Sequence, residues 1–227
     1  VNTFVEFVPY VQRTKTLKYA VCIDSYTTLQ NAHAVTAGRT FPDGNATALD
    51  HAVGYHRGGV ARALLEAHLP FDVLSEHNVT HEALGPYRVV ILPNNFCVSE
   101  RIATLLREYV LQGGGLVATF ETSLVDEWGK RRDDFALADL FGANYQQTDP
   151  IGPNRIGFSP SSHPVTEDPA LKDLMGTTGA TTYWGQFVRV QPDAGAAAPL
   201  VGTDVKNEAH DGKKHWTPLL LSDQGQG

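Results

Sequence analysis

Cysteine is almost missing from this 227-residue sequence: Cys22 and Cys97 are its only two, and they lie far apart. That excludes a disulfide framework and leaves two reduced thiols. Long apolar runs are missing as well, and none approaches the roughly 20 residues that a membrane-spanning helix requires. Positive charge is in short supply, since 18 Lys and Arg face 25 Asp and Glu for a formal net charge of -7. Nucleic acid and anionic membranes are therefore excluded as main partners. The opening stretch VNTFVEFVPYVQRTKTLKY lacks the basic start and apolar block of a signal peptide, and a cytoplasmic location is the expectation. No Met stands at position 1, so the chain is expected to be a piece of something longer or a processed product.

What is present is an ordinary globular composition, 42% hydrophobic and 19% charged, in a chain long enough to bury a core without staples. Residues 1–18 read as a connector or arm. YAVCID, 19–24, is short, apolar and β-branched, which reads as a buried strand. The polar stretch 25–51 reads as a long loop, functional or ordered by a partner. GYHRGGVARALLEAHL, 54–69, puts Val60, Ala61, Leu64, Leu65 and Ala67 at helical spacing, and Pro70 stops the helix. PFDVLS, 70–75, and RVVILPN, 88–94, are the next strands; the continuous apolar run of the second suits a strand covered on both faces. Ser99 is placed to N-cap SERIATLLREYVLQ, and GGG ends that helix. LVATF, 116–120, is the fourth strand, and RDDFALADLFG, 132–142, is a short helix with a glycine stop. This order predicts an α/β fold over 19–145, a flavodoxin-like three-layer sandwich with a mostly parallel sheet.

The remainder, 146–227, reads as a β-rich C-terminal extension, so that 19–227 form a single domain. RIGFSP, YWGQFVRVQP and PLVGTDV read as shorter strands, and HPVTEDPALKDLMG holds a short helix. They are expected to extend the sheet on an antiparallel edge. The ending TPLLLSDQGQG is a strand followed by a Gly-rich turn, which predicts a returning strand. The fold is therefore expected to be truncated at the C-terminus.

Three segments carry a family resemblance: GYHRGGVARALLEAHLPFDVLSEHNVT, LGPYRVVILPNNFCVSERIATLLREYVLQGGGLVATFETSLVDEWG and RRDDFALADLFG. Together they resemble the β-galactosidase trimerisation domain. That domain is the middle module of family-42-type β-galactosidases and related glycosyl hydrolases, within the class I glutamine amidotransferase-like superfamily. The tail PLLLSDQGQG is similar to the family's closing glycine-lysine-glycine turn. The resemblance implies a non-catalytic module without a cofactor, covalently linked to a TIM-barrel glycosidase domain and self-associating as a homo-oligomer, a trimer by the family's name. The barrel does not lie within these residues, so its catalytic carboxylates are assigned to none of them.

In the active relatives the strand after the Gly-rich hinge ends in a sharp turn that holds a nucleophile. On that pattern Glu121 falls at the nucleophile position, between Phe120 and Thr122, both bulkier than a tight elbow favours. Amide hydrolysis of this type needs an activated thiolate, and a carboxylate is a poor substitute. The chain is therefore read as no glutamine amidotransferase and as having no catalytic residue. Cys97 follows the third strand and reads as a small, half-buried residue. Glu121 is expected to cap its turn or to pair with Arg57, Arg131 or Arg132. Glycosidase acid–base chemistry with Asp126 or Glu127 would need two carboxylates about 5–9 Å apart, which sequence proximity does not establish.

The competing reading is a free-standing small-molecule or sugar-binding protein, or a hydrolase, that uses Glu121 and loop histidines. Its ligand-binding candidates are Arg57, Asn94, Asn95 and Glu121, at the carboxyl ends of strands where open α/β sheets take ligands. HRGGVAR, 56–62, begins a helix whose N-terminus could hold an anion, although close helix packing also explains the glycines. His33, His51 and His56 are the metal candidates, but none of their spacings is of the compact ligand type. Tyr183, Trp184 and Phe187 read as interface or core residues, with sugar stacking as the alternative. EWGKRRDDF reads as a solvated turn or a subunit contact.

Overall fold

A computed structural model describes residues 8, 15, 17–36, 53–152, 155–160, 163–167, 169, 180–182, 185–204 and 215–224. At its centre lie four parallel strands: β1 (Ala20–Asp24), β2 (Phe71–Ser75), β3 (Val89–Leu92) and β4 (Gly115–Ala118). Their order is β2-β1-β3-β4, with Cys22 in register with Val73 on one side and Ile91 on the other. Five helices accompany them: α1 (Tyr26–Thr36), α2 (Tyr55–Glu66), α3 (His81–Leu84), α4 (Glu100–Leu111) and α5 (Ala138–Phe141).

Strand alternation decides the layers. Val21 and Ile23 of β1, with Val90 and Leu92 of β3, meet Ile102, Ala103, Leu106 and Tyr109 of α4 on one face. Ala20, Cys22 and Ile91 turn the other way and meet Val60 and Leu64 of α2. Central strands apolar on both faces between two helical layers are what a parallel sheet requires. The expected α/β three-layer architecture is what the chain adopts.

Helix α4 is built as its sequence demands. Ser99 accepts a hydrogen bond from the Ile102 N–H at 3.3 Å, and Glu100 sits in the first turn, where the helix dipole favours an acid. The helix ends where Gly113 turns left-handed at φ 92°. At Gly114 a side chain would meet the Tyr109 ring at 2.3 Å, so the glycines serve the turn and the packing together.

Two expectations are corrected. The stretch 25–51 does not begin as a loop, because α1 occupies 26–36. Ser25 caps it from within, accepting from the Thr28 N–H at 3.0 Å. A second cap comes from the end of β2. The buried Glu76 carboxylate accepts from Ser25 Oγ at 2.7 Å and from the Thr27 N–H and Oγ1 at 2.6 Å each. A helix held by a carboxylate some fifty residues away along the chain leaves little local signal. The rest of the stretch lies outside the described residues.

The β-rich part does not extend the parallel sheet among the described residues. It forms sheets of its own. One is antiparallel and four-stranded, ordered β10-β9-β6-β7 from β10 (His215–Leu221), β9 (Ala197–Asp204), β6 (Arg155–Pro160) and β7 (Ala180–Thr182). The other pairs β5 (Ala143–Gly152) with β8 (Gly185–Pro192). Strands β6, β8, β9 and β10 were legible in the sequence, but pairing partners are not written in local pattern. The part is fastened to the core near its start. Tyr145 N–H donates to Asp134 Oδ1 at 2.7 Å, and its ring meets Phe135 edge-on at 5.7 Å. A short helix α6 (Pro164–Glu167) follows the first strands of this part.

Candidate functional site

The turns that leave β3 and β4 are stitched together at the carboxyl edge of the sheet. Asn94, at φ 52°, donates its N–H to Thr119 Oγ1 at 2.9 Å. Its side-chain Oδ1 accepts the Glu121 N–H at 3.2 Å. Asn95 donates from Nδ2 to the Ile23 carbonyl at the end of β1, at 3.0 Å, and its own carbonyl accepts the Ser123 N–H at 2.9 Å. Three strand ends are thereby fixed to one another through two asparagines.

Glu121 sits inside this stitching and is only 1% exposed. Its Oε1 accepts from Thr148 Oγ1 of β5 at 2.6 Å and from Arg131 Nη2 at 3.1 Å. Arg131 also donates to the Tyr145 hydroxyl at 2.9 Å and lies over that ring. A buried carboxylate is tolerable when paired and hydrogen-bonded in this way. Of the three arginines offered by the sequence, Arg131 makes the pair. Arg57 instead pairs with Asp24 at the end of β1, and Arg132 with Glu100. The backbone of the turn is left-handed at Phe120, φ 55°, just before Glu121, and again at Ser123, φ 70°. A left-handed φ in an aromatic residue is uncommon, and here the side chain that occupies it is chemically inert.

His56, in the first turn of α2, stacks on Phe120 with ring centroids 5.3 Å apart. Its Nδ1 lies 3.4 Å from Thr119 Oγ1. Burial pushes its pKa below the ordinary 6.5, with the Glu121 charge opposing the shift. The ring is thus held neutral, as a packed histidine. Of the other metal candidates, His51 and the side chain of His33 lie outside the described residues. Among the described residues no group of three or more His, Cys, Asp and Glu is arranged to hold a metal.

The four ligand-binding candidates do share one sheet edge. Each is bonded to protein there: Arg57 to Asp24, Asn94 to Glu121, Asn95 to Ile23, and Glu121 to Arg131 and Thr148. Side chains added at Gly58 or Gly59 would meet nothing within 4 Å, so tight helix packing is not what placed those glycines. Asp126, considered as a partner carboxylate for Glu121, is taken up by its own loop, accepting from the Trp128 and Lys130 N–H groups at 2.9 and 2.8 Å. Cys97 is fully buried rather than half-buried. Burial, with the nearby charges of Glu76 and Asp126, pushes its thiol up to about 12. No thiolate nucleophile forms there at neutral pH.

Sequence reasoning missed Thr148 and Tyr145, because ANYQQTDPIG carries too many polar and turn-forming residues to read as a strand. It missed Glu76 as well, since SEHN has the look of a solvated turn.

The family described as the β-galactosidase trimerisation domain matches residues 48–224. β-Galactosidase GanA of Bacillus subtilis (strain 168) is 24% identical over 173 residues, which span 73% of this chain and 23% of GanA. The cold-adapted β-galactosidase from Rahnella sp. R3 shares the fold with a TM-score of 0.65 at 17% identity, over 89% of this chain and 27% of that one. Gan42B, a GH42 β-galactosidase from G. stearothermophilus, does so with a TM-score of 0.62 at 18% identity, over 90% of this chain and 26% of its own. The chain thus spans about a quarter of the length of these relatives. Its matched residues reach from before α2 to the end of β10, and by them the chain belongs to the β-galactosidase trimerisation domain family.

Proposed function

We propose that this chain is a non-catalytic, oligomerising module of a larger cytoplasmic glycoside hydrolase. In that parent polypeptide it stands beside a TIM-barrel β-galactosidase domain and joins copies of the parent into a homo-oligomer, a trimer as in the family's description. The barrel supplies the carboxylates that cleave the glycosidic bond. The two thiols, Cys22 and Cys97, are free and buried, in keeping with a reducing compartment. One observation carries the reading. At the strand tip the charged side chain is sealed at 1% exposure and bonded to Arg131 and Thr148. Such a group holds structure in place and has no face open to a substrate.

The test separates catalysis from assembly. The chain is purified alone and assayed on nitrophenyl β-galactoside, and the parent is assayed as wild type and as Glu121→Gln. No turnover by the chain alone, and an unchanged kcat in the Glu121→Gln parent, are expected. Hydrolysis by the isolated chain that disappears in Glu121→Gln contradicts the proposal.

A further inference from the structure

We propose that Trp128 is the point at which the module docks on a second copy of its parent chain; this rests on the oligomerising role proposed above. Trp128 is 83% exposed, the most exposed of the large apolar side chains among the described residues. On a slack loop that would mean little, but this loop is held at every corner. Asp126 Oδ1 accepts from the Trp128 and Lys130 N–H groups, at 2.9 and 2.8 Å. Asp126 N–H donates to the Lys130 carbonyl at 2.9 Å and closes the turn. Gly129 is left-handed, φ 82°, and a side chain there would run into Asn31 of α1 at 2.5 Å. Beyond the turn, Arg132 donates to the Val125 carbonyl at 2.6 Å and to Glu100 at 2.9 Å. Arg131 is bolted to Glu121 and Tyr145. The buried glutamate thus acts as a positioning residue for the loop that carries the indole.

Such a presentation suits association. A preorganised loop loses little conformational freedom on binding, and tryptophan is foremost among residues that dominate interface energies. The occupant follows from shape, charge and family. A side chain this exposed stands out from the surface, whereas sugars and other small ligands are taken into clefts that bury most of them. Along the loop the acids Asp126 and Glu127 precede it and the exposed cations Lys130 and Arg131 follow it, a polar rim of mixed sign such as surrounds an aromatic anchor in protein interfaces. The family to which the chain belongs is described by trimerisation. In a closed ring of three, contacts run head to tail, so a projection on one copy meets a recess elsewhere on the next.

The parent polypeptide is followed by sedimentation velocity across a concentration series, as wild type, Trp128→Ala and Trp128→Phe. Trp128→Ala is expected to raise the concentration at half-assembly by about tenfold or more, with Trp128→Phe recovering most of the loss. Assembly of Trp128→Ala at wild-type concentrations overturns the docking proposal and leaves the oligomerising role standing. A wild-type parent that stays monomeric throughout overturns that role, and the docking with it. Lactose is the remaining arm. A lactose-induced change in indole fluorescence that is lost in Trp128→Phe, with assembly unaffected, assigns the residue to a carbohydrate and overturns the proposal.

Discussion

Helices α4 and α2 cover opposite faces of one parallel sheet, and they do so on different terms. Helix α4 buries Ile102, Ala103, Leu106 and Tyr109. Helix α2 buries no residue, and Leu65 on it is 66% exposed. The α2 side of the sheet shows the same thinness at its margins, where Val73 of β2 and Val117 of β4 remain 63% and 47% exposed. The α4 layer therefore carries the fold. Helix α2 is held mainly at its start, by His56 stacked on Phe120 and by Arg57 paired with Asp24. Both are attachments to the carboxyl edge of the sheet, where the buried Glu121 network lies.

The contrast can be broken most directly in the thick layer. Leu106→Ala removes a side chain at 0% exposure and is expected to lower stability by about 2–5 kcal/mol, read from urea unfolding of the purified chain. Next comes the network that joins the layers to the β-rich part. Glu121→Ala takes from Thr148 and Arg131 the buried carboxylate to which both donate, at an expected cost of about 1–3 kcal/mol, with Glu121→Gln costing less because an acceptor oxygen remains. A Glu121→Ala variant as stable as the wild type would remove that carboxylate from the account of what holds the sheet edge.

The third effect is a pH dependence confined to the thin layer. His56 has a folded pKa lowered by burial. Between that value and about 6.5 the unfolded chain binds a proton that the folded chain refuses, so stability is full above 6.5 and falls as pH drops, by at most about 1.4 kcal/mol per pH unit for one group. Amide exchange in α2 should quicken as pH is lowered through that window, after correction for intrinsic rates. Exchange in α4 should not change with it, and His56→Phe should flatten the response. Equal acceleration in both helices would mean the two layers open together. The smallest effect is expected from Leu65→Ala, within about 0.5 kcal/mol, as for a surface substitution. A larger loss would show that α2 buries more than its exposure indicates.

The same contrast explains what the sequence made legible. Continuous apolar runs such as VVIL, and a capped amphipathic run such as SERIATLLREYVLQ, declare themselves locally, because burial on both strand faces or on one helix stripe sets their composition. HRGGVARALLEAHL has helical spacing too, but only Val60 and Leu64 of its five apolar positions pack on the sheet. Period alone did not tell how deeply it sits. Helix α1 was missed because part of its stabilisation, the Glu76 cap, comes from a distant strand end. At the site, the choice of Glu121 as the informative residue came from the hinge-and-strand pattern. Its partner Thr148 did not, since a threonine on a polar, Pro-containing strand leaves no signature of what it will touch.

The central claim is that these residues assemble subunits rather than transform substrate. Sedimentation equilibrium of the parent polypeptide, intact and with residues 19–224 deleted, tests it most directly. The intact parent is expected to sediment as a trimer and the deleted form as a folded monomer. A deleted form that still sediments as a trimer would contradict the claim.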